Sequence, residues 1–506
     1  MATRNISGEA IKELAQIVGS AHLLTESLEV SLYEYDGSVE TGRPDLVVFP
    51  GSKHEVAALA RWSNRHRVPV VGRGAGTGLS GGALAREGGV QVVFSRMNKI
   101  LEIDVENRLA VVEPGVVNLD LSRAVASAGL HYAPDPSSQK ACTIGGNVAE
   151  NAGGPHTLRY GVTANHVQAL EIVLPDGEMV RIGGGAVDPP GYDLVGLFVG
   201  SEGTLGLVVE ITVKLTPLPE SVKTLLAVFE TADDATETVA TLTAAGVTPA
   251  ACEMLDGWTI RVVESSIQAG LPTDAGALLL IEVDGMREAA EEQAQAVIDL
   301  CRKNRAREVR TAQSERERET LWKARKNAFG AVGRVAPDCY VQDGVIPRTR
   351  LPEALRRIGE IGRRHGFDVG NIFHAGDGNL HPMLCFDHRK ADEFARAMAA
   401  ADEIIALCIE MGGSITGEHG VGMEKDRLMP LLFSQADLAL MKGVRDAFNP
   451  LGLLNPGKIF PGGKGCGEIR IPAASATEGK RGTARVDEAG GSGPSGADGA
   501  LRDRQA

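Results

Sequence analysis

Three histidines and a glutamate in the last third of the chain fall in two glycine-rich segments, His374-Ala-Gly-Asp-Gly-Asn-Leu-His381 and Gly417-Glu-His-Gly-Val-Gly422. That composition suits a metal-assisted active site. Asp377-Gly378 is a tight-turn dipeptide, and a four-residue loop over 376–379 sets Ala375 opposite Leu380 and His374 opposite His381. Directly opposed side chains on paired strands have Cβ atoms about 4.5–5.5 Å apart, so two imidazoles can reach one ion at about 2.0–2.1 Å each. Glu418 supplies a third ligand, and three protein ligands leave a coordination position open for substrate. His374 or His381 taken singly reads as a turn residue bonded to the backbone; the pair together with Glu418-His419 favours the metal. His419 is either a fourth ligand or a general base, and spacing alone does not choose.

A second group of residues lies near the start, in Val68-Pro-Val-Val-Gly-Arg-Gly-Ala-Gly-Thr-Gly-Leu-Ser-Gly-Gly82. An apolar strand running into glycines suits a backbone wrapped around a phosphate, because glycine reaches positive φ and has no Cβ to block approach. The loop matches neither the dinucleotide fingerprint nor the P-loop, and alone it reads equally as a flexible surface loop. Further clusters shift that balance: Pro134-Asp-Pro-Ser-Ser138, Thr143-Ile-Gly-Gly-Asn147, Asn151-Ala-Gly-Gly154, Arg159-Tyr-Gly161 and Gly200-Ser-Glu-Gly-Thr-Leu-Gly206. They recur between β-rich runs at 90–94, 110–112, 170–174 and 208–213, as expected of loops converging on one extended ligand.

The elements that must position these residues follow from pattern and composition. At 506 residues the chain has room for two or three domains. With 43% hydrophobic and 4% aromatic residues it reads as a soluble globular protein with an aliphatic core. A net charge of −14 argues against nucleic-acid binding. Seven cysteines without a CxxC argue against a disulfide framework and an iron–sulfur cluster, and favour a reducing, cytoplasmic compartment. No apolar run approaches the roughly 20 residues of a membrane span, and the first residues lack the apolar core of a signal peptide. Membrane contact is therefore expected only through partners.

Along the chain, 9–18 and 55–66 read as helices and 45–50 as a strand. The composition shifts at 217–219, which ends the first domain. Residues 225–229, 234–245, 278–283 and 286–304 read as strand, helix, strand and helix, and 351–365 and 391–411 are the clearest later helices. An antiparallel sheet covered by helices on one face is the natural architecture for such a domain. From 461 the chain is Gly/Ser/Ala/Asp-rich and reads as disordered.

The segment from Pro44-Asp-Leu-Val-Val-Phe-Pro50 to Leu218 resembles the FAD-binding domain of the vanillyl-alcohol oxidase, or PCMH-type, flavoprotein family. The later motifs, with Leu454-Asn-Pro-Gly-Lys-Ile-Phe460, resemble that family's FAD-linked oxidase C-terminal domain. Trp322-Lys-Ala-Arg-Lys-Asn-Ala-Phe329 and Gly333-Arg334 followed by Pro337-Asp338 bring the chain nearest to the FAD-containing subunits of bacterial glycolate oxidases. D-lactate and D-2-hydroxyglutarate dehydrogenases share most of these motifs.

The resemblance implies an α+β fold: a helical segment over 1–43, a two-part PCMH-type FAD-binding domain over 44–218, and an α+β substrate or cap domain with an antiparallel sheet over 219–460. A disordered tail over 461–506 completes the division. It implies oxidation of a small 2-hydroxy acid, glycolate or D-lactate, with hydride passing to flavin N5. The alternatives are a self-sufficient D-lactate or D-2-hydroxyglutarate dehydrogenase and a non-redox flavin-dependent transferase.

Flavin contacts carry over to Arg73, Gly74, Ala75, Gly76, Thr77, Gly78, Ser80, Gly81 and Gly82. A second wall carries over to Pro134, Asp135, Ser138, Gly145, Gly146, Asn147, Asn151 and Gly153, with Ile211 as a backbone contact. The first loop has no histidine, so FAD is expected to be non-covalent. His374, His381 and Glu418 are implied as ligands of a divalent metal, Zn, Mn or Fe, and His419 as the base. Arg325 is the candidate clamp for the substrate carboxylate, with Lys326 and Arg334 as alternatives, although any one of them also reads as a surface helix salt bridge. Asn379 is a candidate to assist, and its turn role alone also explains it. The implied partners are a second flavin-domain subunit and an iron–sulfur subunit of a glycolate oxidase complex, at the inner face of the plasma membrane.

Overall fold

The computed structural model describes residues 6–185 and 190–461. Three sheets carry the architecture, with one small strand pair beside them. The first is four-stranded in the order Leu23–Leu24, Leu46–Val48, Val90–Val93, Val70–Arg73. Its last three strands are parallel and are buried almost throughout, which explains why they read as unbroken apolar runs. The helix Lys53–His66 makes the crossover between two of them. Its N-cap Ser52 accepts the N–H of Glu55 at 3.3 Å, and Trp62 Nε1 donates to Ala10 O at 3.0 Å, tying down the first helix, Gly8–Val18.

The second sheet is antiparallel, in the order Ile100–Asp104, Leu109–Val112, Leu207–Lys214, Val167–Val173, Met179–Gly183. Its core face packs against the helices Asn118–Val125 and Ile144–Glu150 through Leu121, Ile144 and Val148.

The third sheet is antiparallel and runs Glu308–Thr311, Ser221–Phe229, Ala277–Gly285, Ala251–Asp256, Val369–His374, Asn379–Leu380, Gly344–Val345. Asp338–Val341 and Pro382–Phe386 pair beside that path. Helices cover it on both faces, which corrects the one-face expectation. Ala232–Ala244, Arg287–Lys303, Leu351–His365 and Ala391–Glu410 pack on one side, while Gly257–Ile267, Glu315–Lys326 and Ala328–Val332 pack on the other. The reason is legible in Ala277–Gly285, where eight consecutive residues are buried, so neither face is left for water. The strand Ala251–Asp256 and the helix Gly257–Ile267 were absent from the expected order of elements.

The chain then returns to the first sheet. Leu454 forms a parallel bridge with Val70, Asn455 Nδ2 donates to Gly82 O at 2.9 Å, and Lys458 Nζ donates to Leu84 O at 2.6 Å. The expected tail lies outside the described residues, apart from residue 461. Among the described residues no helix is long and apolar enough to cross a membrane, and the six described cysteines are free thiols.

Candidate active site

The strand Val70–Arg73 delivers the glycine loop to a cavity of about 620 Å³. Gly74 is required there by close approach, since a Cβ at this position would lie 2.3 Å from Thr143 Oγ1. Arg73, Gly74, Ala75, Gly76, Thr77, Gly78, Gly82, Ser138, Gly145, Gly146 and Asn147 line the cavity as expected. Arg73 is buried and its Nη1 has no hydrogen-bond partner, which leaves a cationic donor suited to a phosphate. Glycine backbone and a spare guanidinium nitrogen together fit the diphosphate of a dinucleotide cofactor.

Seven other residues expected to contact the flavin are not among those that line the cavity. Ile211 is fully buried in the core of the five-stranded sheet, opposite Val112 and Leu170. Ser80 is also fully buried, and its carbonyl accepts the N–H of Met423 at 3.0 Å; Gly81 packs on the Met423 side chain. Pro134 O accepts from Asn118 Nδ2 at 2.9 Å. Asn151 ends the helix Ile144–Glu150 with φ of 54°. Asp135 Oδ2 lies 3.0 Å from both His156 Nδ1 and Lys326 Nζ. Burial alone would raise the Asp135 carboxyl, but those two cations hold it below the ordinary carboxylate range. Gly153 serves the other centre, because a Cβ there would stand 2.9 Å from Glu418 Oε2.

The second half of the cavity wall carries residues expected to take part in the chemistry. His374, His381, Glu418, His419, Arg325 and Lys326 all line it. His374 Nε2 lies 3.0 Å and His381 Nε2 3.1 Å from Glu418 Oε1. The hairpin differs from the expected register: His374 pairs with Asn379, so the loop is 375–378, with Gly378 at φ of 83°. His381 is therefore the diagonal neighbour of His374. Residues two apart share a strand face, so the rings still meet at a centroid distance of 5.1 Å.

Each imidazole is oriented from behind. Glu253 Oε1 lies 2.8 Å from His374 Nδ1, and Gln342 O lies 3.1 Å from His381 Nδ1. Such contacts fix the Nδ1–H tautomer and point Nε2 forward, as in metal-ligating histidines. Burial would lower the His374 pKa, but the Glu253 and Glu418 carboxylates raise it well above an ordinary imidazole. Two imidazoles and a carboxylate with ligand atoms within 4.8 Å of one another form a donor set suited to a divalent first-row metal.

His419 stacks on His381 with ring centroids 5.0 Å apart and an interplanar angle of 5°. Its Nε2 lies 3.9 Å from Glu418 Oε1 and its Nδ1 4.0 Å from Asp343 Oδ2. Arg325 is buried, with Nε 2.6 Å and Nη2 2.5 Å from Glu253 Oε2. Lys326 is engaged by Asp135, Arg334 is exposed away from the cavity, and Asn379 presses its amide against Gly417 instead of lining the wall.

Three organising acids were missed in the sequence. Glu253 bridges His374 and Arg325 from a strand that reads as apolar. Asp343 Oδ2 accepts the backbone N–H groups of Gly417 at 3.1 Å and His419 at 2.9 Å, and the Thr416 hydroxyl at 2.5 Å, so it holds the turn that carries Glu418 and His419. Glu202 accepts from Val421 N and Gly422 N, each at 2.8 Å, and holds its far end. The sequence signal for Glu253 is an acid inside the run Ala250-Ala-Cys-Glu-Met-Leu255; Asp343-Gly344 reads only as a turn.

Comparison with known proteins bears on the family and the fold. Residues 44–183 match the model of the FAD binding domain, and 218–459 match that of the FAD linked oxidases, C-terminal domain. The glycolate oxidase subunit GlcD of Escherichia coli (strain K12) is 48% identical over 457 residues, covering 90% of this chain and 92% of that protein. GlcD of Bacillus subtilis (strain 168) is 44% identical, covering 90% and 97%. Among solved structures, substrate-bound p-cresol methylhydroxylase superposes with a TM-score of 0.77 at 18% identity, covering 90% of this chain and 98% of that one, which shows the shared fold.

Proposed function

The chain belongs to the family of FAD-linked oxidases, and we propose that it oxidises glycolate, with D-lactate as a second substrate, to the 2-oxo acid as one subunit of a larger oxidase. The observation that supports this reading is the convergence of His374 and His381 on Glu418 in the cavity that Arg325 and the glycine loops also line. No histidine occurs over 72–82, so FAD is held without a bond to that loop. When bound, FAD supplies a two-electron acceptor and a divalent metal on His374, His381 and Glu418, of the Zn, Mn or Fe kind, supplies a Lewis acid.

The chain's own residues orient the acid and move its proton. Glu253 occupies one edge of the Arg325 guanidinium, leaving the Nη1 donors for a substrate carboxylate. His419 takes the hydroxyl proton. Burial lowers its pKa to about 4 against the pull of Asp343, so the ring is neutral and carries a free lone pair at neutral pH. Asp343 fixes the backbone of that histidine, and Val341, Ile372 and Met383 add apolar surface to the same cavity. Lys326, the neighbouring cation, is tied to Asp135, which favours a monocarboxylic acid over a dicarboxylic one.

Electrons leave through partners. The cysteines are dispersed without a CxxC, so the chain has no iron–sulfur motif of its own and requires an external oxidant. A second flavin-domain subunit and an iron–sulfur subunit fill that role, at the cytoplasmic face of the membrane.

Anaerobic mixing of the FAD-loaded chain with glycolate, D-lactate, L-lactate and D-2-hydroxyglutarate tests the reading. Flavin bleaching by the first two, and not by L-lactate, is expected. Bleaching by D-2-hydroxyglutarate alone moves the chain to the self-sufficient dehydrogenases. No bleaching by any of the four removes the redox reading in favour of a flavin-dependent transferase.

A further inference from the structure

Cys339 and Cys385 stand directly opposite one another on the antiparallel strands Asp338–Val341 and Pro382–Phe386. One hydrogen bond further along the ladder fixes the kind of pairing. Gln342 N–H donates to Pro382 O at 3.0 Å, which makes that pair a hydrogen-bonded position. Hydrogen-bonded and non-hydrogen-bonded pairs alternate along antiparallel strands, so Tyr340/Leu384 is of the first kind and Val341/Met383 and Cys339/Cys385 are of the second. Non-hydrogen-bonded partners bring their Cα atoms to about 4.5 Å, within the roughly 4.4–6.8 Å that a disulfide spans. Side chains directly opposed in this way leave the strands on the same face.

The pair is chemically distinct from the other described thiols. Cys339 and Cys385 are partly exposed, whereas Cys142, Cys252, Cys301 and Cys408 are buried. A hydrogen bond from Cys339 holds the Cys385 thiol below its ordinary pKa, and the same contact raises Cys339. Cys385 is thus the readier nucleophile and Cys339 the resolving thiol.

The location ties the pair to the active site. Alternate residues share a face, so Cys339, Val341 and Asp343 line up along one edge of the ladder, and Cys385, Met383 and His381 along the other. Val341 and Met383 line the substrate cavity, and Asp343 and His381 belong to its catalytic end.

We propose that Cys339 and Cys385 form a redox-reactive dithiol that closes to an intrachain disulfide beside Val341 and Met383 of the substrate-cavity wall, with a low-molecular-weight disulfide as oxidant. The Cys385 thiolate attacks one sulfur of the oxidant, breaks its S–S bond and expels one thiolate. Cys339 gives up its proton and attacks Cys385 Sγ, breaking the mixed disulfide and expelling the second thiolate. Two electrons pass from the cysteine pair to the oxidant, and the two protons end on the two released thiols.

The test uses the full-length, FAD-loaded chain carrying Cys466→Ser, so that this thiol cannot react. It is titrated with glutathione disulfide, then alkylated, digested and mapped by mass. The expected result is a Cys339–Cys385 cross-linked peptide, loss of two free thiols per chain, reversal by dithiothreitol, and a raised Tm with FAD retained. C339S should stop at a glutathione adduct on Cys385. A lasting glutathione adduct with both cysteines present, or both thiols still free after excess oxidant, overturns the proposal. Should C339S fail to fold, mapping of the chain with both cysteines decides alone, because adduct and cross-link differ in mass.

Discussion

Glu253 and His374, 121 residues apart in the chain, meet through a contact of 2.8 Å between Oε1 and Nδ1. The same carboxylate holds Arg325 through Nε at 2.6 Å. One buried acid therefore orients His374, the proposed metal ligand, and Arg325, the proposed carboxylate clamp, together. E253Q keeps the volume but loses the charge, so metal affinity should fall by roughly 10–100-fold, with FAD retained. Competition against a chelating indicator measures it, and unchanged metal affinity would remove Glu253 from this role.

The turn that carries Glu418 and His419 depends on Asp343, whose Oδ2 accepts from Thr416 Oγ1, Gly417 N and His419 N. D343N replaces one acceptor oxygen by a donor and leaves buried N–H groups unpaired, at a cost of about 1–3 kcal/mol. The flavin-reduction rate should drop sharply while FAD content stays whole. Rapid anaerobic mixing checks this, and a wild-type rate would show that the turn holds itself.

In the flavin loop, G74A should lower FAD retention, because its Cβ meets Thr143 Oγ1 at 2.3 Å. Removing that oxygen in G74A/T143A should restore part of the loss, less the N-cap bond that Thr143 makes to Gly146 N. FAD content after gel filtration is the readout. No loss in G74A would show that the two segments separate freely.

A pH dependence resides in the link between the 134–160 region and the third sheet. His156 lies 3.0 Å from Asp135 and 3.2 Å from Glu282. Burial lowers its pKa, but the two carboxylates raise it from 6.5 to about 10. The folded chain thus binds this proton more tightly than the unfolded one. Its stabilisation is complete below pH 6.5 and is lost as pH rises towards 10. H156A should cost roughly 3–5 kcal/mol and flatten the fall of Tm across that window; an unchanged slope would place the pH dependence elsewhere.

How much of this was legible varies with the range of the interaction. Helix Leu351–His365 follows from its apolar periodicity and from Gly366 at φ of 81° just beyond it, both local signals. The grouping of His374, His381 and Glu418 was legible because histidine and glutamate are scarce partners in glycine loops, although the hairpin register was not. Asp377-Gly378 marks a turn without saying which residue opens it. Glu253 and Asp343 escaped because their partners lie 121 and 76 residues away. An acid inside the apolar run 250–255 is the one local sign of Glu253, and Asp343-Gly344 signals no more than a turn. Asp135 shows the converse: its Pro-Asp-Pro setting reads as a ligand loop, yet its charge is spent on His156 and Lys326.

The claim at the centre is that His374, His381 and Glu418 hold a metal required for oxidation of the hydroxy acid. The most direct measurement mixes glycolate anaerobically with FAD-loaded chain before and after chelation, and again after one equivalent of metal is returned. Bleaching should be lost with the metal, return at one ion per chain, and fail to return in H374A although FAD remains bound. Bleaching at the full rate in metal-free chain would contradict it.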